Sequence, residues 1–181
     1  MNAAAGTGQE RRPSLPRAGA VAALAAVLLL AAVVRCWRLD WGLDQRLSFP
    51  DEGALWNSYL FAFRSPRWEA LFGHPLGYPP LYGYLIGLAV AGASVLGLVG
   101  PGQDLLAALL VARGVSAVAG LATVLLVWLL GTRGYGACAG LVAAAFVAAI
   151  PLEAMQTHYA SVDVLLGALT ALVLLAGNAF T

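Results

Sequence analysis

The run Ser48-Phe49-Pro50-Asp51-Glu52 sets two carboxylates side by side where a helix is expected to begin. Proline suits the first helical position, and a serine just upstream suits a helix start. A carboxylate in that first turn is favoured by the helix dipole by about 0.3–1 kcal/mol, which helps keep it ionised. An ionised carboxylate beside a substrate hydroxyl is a general base. The same two acids would equally serve as caps of a surface helix, and the local sequence does not separate the two roles. Downstream, Trp56, Leu60 and Phe63 fall at i, i+4 and i+7. That stripe predicts a helix over 51–64 lying in the membrane interface, with its acidic start near the bilayer surface.

A second polar island runs from Glu153 through His158 and Ser161 to Asp163. Ser161 is placed to cap the next helix, with Asp163 in its first turn. A plain loop with helix caps is the alternative. Arg113 is of another kind, because it lies inside an apolar run. A charge there calls for a partner, either an acid of the first loop or an anionic lipid head; the alternative is snorkelling to the interface. His74 and His158 have no ligand spacing, and no metal site is expected from them. No glycine-rich phosphate loop, nucleophile elbow or metalloprotease motif occurs.

The elements that must position these residues are membrane helices. The chain is 61% hydrophobic and only 10% charged, with mean hydropathy +0.82. Soluble domains carry about 25% charged residues, so lipid must be much of this chain's solvent. No basic stripe points to nucleic acid. Cys36 and Cys138 fall in different segments, and neither a disulfide nor a metal site is expected. Apolar runs cover 18–34, 79–100, 105–130, 135–152 and 162–176. Residues 1–17 carry Arg11, Arg12 and Arg17 and read as a cytoplasmic tail before an uncleaved signal anchor. Simple alternation over five spans would put Arg133 outside, against the positive-inside rule, and Asp51 and Asp163 on opposite sides. Both conflicts vanish if 79–98 lies along the outer leaflet. We therefore expect an all-α membrane protein with four spans (18–34, 105–131, 135–152 and 162–178). A large outer loop, 35–104, would hold juxtamembrane helices at 51–64 and 79–98.

Taken in order, the motifs resemble the N-terminal part of GT-C glycosyltransferases that use lipid-linked sugars. The nearest likeness is to dolichyl-phosphate-mannose–protein mannosyltransferases and to bacterial aminoarabinose and Rgt-type transferases. The matching residues are Arg35-Cys36-Trp37-Arg38-Leu39, Pro50-Asp51-Glu52 and Tyr78-Pro79-Pro80-Leu81-Tyr82, then Arg113-Gly114-Val115-Ser116, Gly131-Thr132-Arg133 and Ser161-Val162-Asp163. The resemblance implies that residues 18–181 are the N-terminal part of a GT-C transmembrane domain whose C-terminal part is missing, so that the fragment alone is inactive. It implies Asp51 as the catalytic aspartate, Glu52 as its acidic neighbour, Asp163 as a second acid on the same cavity and Arg113 as a positioning arginine. Glu52, Arg113 and Asp163 are thus the expected substrate-binding residues. Tyr78 departs from the pattern, since relatives often have histidine before Pro-Pro.

The implied activity is transfer of a sugar from a polyprenyl-phosphate donor to a hydroxyl acceptor at the outer face of the cell membrane, with inversion. No cofactor is certain, and a divalent cation at Asp163 is the one candidate. A transporter fragment and a non-catalytic membrane interaction protein are the rival classes. A transporter should carry its ionisable groups near the midplane, whereas most acids here lie in one loop. The enzyme reading requires Asp51 and Asp163 on one side of the membrane.

Overall fold

A computed structural model describes residues 17–43, 52, 80–100 and 105–178. These form α1 (Arg17–Cys36), α2 (Pro80–Val95), α3 (Leu105–Tyr135), α4 (Ala137–Ala149), α5 (Pro151–Thr157) and α6 (Val162–Gly177). No strand occurs among the described residues. α3 is the axis of the bundle and touches each of the other five described helices.

Two helices, α1 and α3, are long and apolar enough to cross a membrane, and the bent pair α4–α5 makes a third if it is one span. α6, at 16 residues, is apolar but shorter. The outer surfaces are those of a protein solvated by lipid. Leu29, Leu30, Val118, Phe146, Leu166 and Val173 all stand exposed. Water-soluble proteins rarely expose continuous apolar surface on this scale. Trp37 and Trp41 are exposed just beyond the end of α1, beside an exposed Arg38–Asp40 ion pair. Tryptophan and arginine of this kind belong at headgroup depth.

The helix ends sort themselves by their contacts. Ala31 of α1, Val124 of α3, and Ala144 and Ala148 of α4 form one buried cluster. α4 runs back along α3 because Gly131 and Gly140 lie backbone to backbone; a Cβ on Gly131 would stand 2.8 Å from Gly140 Cα. The turn between the two helices is one residue, Gly136, at φ 95° and ψ 168°. Only glycine adopts that conformation readily, and side chains forced into such regions cost about 1–3 kcal/mol. Gly136→Ala is therefore expected to lower the unfolding midpoint in detergent. Gly134→Ala, a helical site with open space around it, should hold or raise the midpoint, since alanine favours helix over glycine by about 1 kcal/mol. Equal loss at both sites would refute the turn argument.

The run 135–152 does not form one continuous helix. Ile150 is extended and Pro151 opens α5, with a bend of 61° between α4 and α5. Proline disfavours helical geometry in the residue before it, and it lacks the N–H that would continue the ladder.

α2 falls within the expected helix 79–98. Tyr82 in its first turn meets Ser116, while Ala93 and Val99 pack on Ala108. It thus runs antiparallel to the opening turns of α3, away from the 120–135 stretch that packs α1 and α4. α3 has 31 residues, which at 1.5 Å rise is about 46 Å, against about 30 Å of hydrocarbon.

Candidate functional site

Three positions on one face of α3, Arg113, Ser116 and Gly120, gather the ends of the other helices. They are spaced i, i+3 and i+7, which stacks them along one stripe.

Arg113 is buried, with 1% relative exposure. Its Nε donates to Glu52 Oε1 at 2.8 Å and its Nη2 to Glu52 Oε2 at 2.9 Å, a two-pronged ion pair. Its Nη1 donates to the carbonyls of Leu39 (2.7 Å) and Trp41 (2.9 Å). The Tyr159 ring faces the guanidinium at 5.8 Å. Glu52 Oε1 also accepts from the backbone N–H of Ala160 at 3.0 Å. A planar fork matched to a carboxylate, with the remaining donors satisfied, is the arrangement that makes a buried charge pair tolerable. It binds four parts of the chain together: the turn after α1, residue 52, α3 and the loop before α6.

One turn along, Ser116 Oγ lies 2.6 Å from the Tyr82 hydroxyl and accepts from Ser161 N–H at 3.2 Å. This links the start of α2 to the start of α6. Ser161 caps α6, its side chain accepting from Asp163 N–H at 3.3 Å, as the sequence predicts. A further turn along, Gly120 leaves room for Thr157 and Arg35; a Cβ there would collide with Thr157 Cγ2 and stand 2.9 Å from Arg35 Nε. Arg35 is fully buried and donates to the carbonyls of Val147 and Ala148, both at 3.2 Å. Those carbonyls belong to the last turn of α4, which the break at Pro151 deprives of intrahelical donors. His158 closes the same end of the bundle, its ring nitrogens 2.7 Å from Ala154 O and 2.9 Å from Trp37 O.

Of the residues singled out in the sequence, Asp51 lies outside the described residues. Glu52 and Arg113 are brought together, so the acid of the first loop is the partner that Arg113 required. Glu52 is 1% exposed and held by a guanidinium; the helix expected over 51–64 otherwise lies outside the described residues. Neither side chain is open to a ligand in this arrangement. Asp163 is exposed in the first turn of α6, at the same end of the bundle. His74 lies outside the described residues. Among the described residues no three histidine, cysteine or acidic side chains gather to hold a metal.

Tyr82, Ser116, Arg35 and His158 carry the rest of the network, and the sequence reading gave none of them a site role. Tyr82 and Arg35 stand inside the Tyr78–Tyr82 and Arg35–Leu39 motifs, which was the signal available for them. No protein-family model matches the chain, and neither a curated protein nor a solved structure matches it.

Proposed function

We propose that this chain carries part of the active site of a membrane glycosyltransferase of GT-C type, which moves a sugar from a polyprenyl-phosphate donor to an acceptor hydroxyl at the outer membrane face. The observation that carries the reading is the Glu52 carboxylate. It ties the residue bonded to Asp51 to Arg113 and to the N–H of Ala160, three residues before Asp163. Opposite placement of the two acidic helix starts would have sunk this chemistry, and the contacts favour one shared side.

In this mechanism Asp51 takes the proton of the acceptor hydroxyl as its oxygen attacks the anomeric carbon. The bond to the donor phosphate breaks in the same displacement, which inverts that carbon. Phosphate leaves without acid help. Glu52 and Arg113 serve as positioning residues, and exposed Asp163 orients the acceptor or the base, or would help hold a divalent cation. The membrane plan is four spans, α1, α3, the bent α4–α5 pair and α6, with the N-terminus cytoplasmic and α2 outside the spanning set.

A transporter would use the break between α4 and α5 as an ion site, with its free carbonyls lining a path. Arg35 occupies those carbonyls, which argues for a plugged break. The test is transfer of label from a polyprenyl-phosphate sugar by membranes containing the full-length gene product, with the C-terminal part that the resemblance implies. Transfer that is lost in Asp51→Asn at unchanged expression supports the reading, and undiminished transfer ends it.

A further inference from the structure

We propose that His158 is a proton-operated clasp that fixes the exit of α1 against α5 and lets go when the ring loses its second proton. Both ring nitrogens lie at full hydrogen-bonding distance from their neighbours, and both neighbours are carbonyl oxygens, Ala154 O and Trp37 O. A carbonyl only accepts. Neutral imidazole has one N–H, so one of the two contacts would then set a lone pair against a lone pair. The doubly protonated ring satisfies both.

The two carbonyls belong to elements far apart in the chain. Ala154 is in α5, and Trp37 follows the last residue of α1, 121 positions from His158. The ring is partly exposed, so it exchanges protons with the aqueous phase at this end of the bundle.

The other charged groups described on the neighbouring elements face elsewhere or lack a contact to the ring. On α1, Arg35 turns inward to Val147 and Ala148. In the turn that follows, Arg38 pairs with Asp40. On α3, Arg113 is closed on Glu52, with Tyr159 over it. Glu153 of α5 keeps a buried Oε1 without a hydrogen-bond partner, and Asp163 lies exposed beyond Ser161. Among the described residues none of these side chains hydrogen-bonds the ring, so the ring's own protonation decides the contact. The consequence reaches the site, because the turn that His158 holds at Trp37 supplies the Leu39 and Trp41 carbonyls that cradle Arg113. Opening the clasp slackens that cradle, whether or not the chain transfers a sugar.

The sequence holds two histidines, so a His74→Gln background leaves His158 as the sole reporter. In lipid nanodiscs, nitrogen NMR reads the ring while hydrogen–deuterium exchange reads residues 36–43 from pH 5 to 8, corrected for intrinsic exchange. At the acid end both ring nitrogens should carry protons, and 36–43 should exchange about tenfold more slowly, the size of one hydrogen bond from a charged donor. His158→Asn keeps a side-chain donor near Ala154 but is too short for Trp37, and its 36–43 segment should exchange fast throughout. Exchange at 36–43 that ignores the ring's protonation, or a pH response surviving in His158→Asn, overturns the clasp. If that variant does not fold, the titration of the His74→Gln protein decides alone.

Discussion

Arg113→Met is expected to destabilise the protein by about 3–5 kcal/mol, the usual result of removing one member of a buried ion pair. Methionine keeps much of the volume and suits the apolar surroundings, so the loss is electrostatic. Glu52 would be left buried with one remaining donor among the described residues, the N–H of Ala160, and the Leu39 and Trp41 carbonyls would lose the Arg113 guanidinium. Arg113→Lys should fall between, since an ammonium keeps the charge but not the two-pronged fork. Glu52→Gln combined with Arg113→Met should recover part of the loss, because the stranded charge is gone. Unfolding midpoints in detergent for the two single variants and the pair measure this coupling directly. An Arg113→Met protein as stable as the parent would show that the pair contributes nothing to the fold.

Asp51→Asn should instead remove activity without stability. If Asp51 is the base, loss of its carboxylate lowers transfer by about 10²–10⁴-fold. Asparagine is nearly isosteric and still suits a helix start, so the unfolding midpoint should stay close to that of the parent. Glu52→Gln offers the contrast, because activity and stability should fall together when a positioning residue is lost. Asp163→Asn, exposed in the first turn of α6, should leave the fold intact and weaken acceptor use. A midpoint that drops in Asp51→Asn as far as in Arg113→Met would move Asp51 from the chemistry into the scaffold.

Hydropathy alone places α1, α3 and α6 to within a few residues, because long apolar runs have few alternatives to a membrane helix. It fails at Ile150-Pro151, where apolar character continues straight through a break that backbone sterics impose. The proline was visible, but hydrophobic length does not register a missing N–H. Arg113 announces its need for a partner by lying in an apolar run. Which acid answers cannot be read, since Glu52 is 61 residues away and several acids share its loop. Tyr82 and Ser116 are less legible still. Neutral hydroxyls in apolar helices are common, and only packing reveals that these two meet. The membrane character of the fold is plain in composition; α1 and α3, and the α4–α5 pair if it is one span, are long and apolar enough to cross, and a fourth span is an expectation from charge placement.

The bond from Arg35 to the end of α4 sets a timetable for assembly. Its acceptor at Ala148 lies 113 residues further along the chain. At a synthesis rate of about 5–20 residues per second, that carbonyl is made roughly 6–23 s after the arginine. Throughout that interval the two carbonyls that hold the guanidinium in the finished bundle do not yet exist. The end of α1 can therefore settle into its final contacts only after α4 has been made.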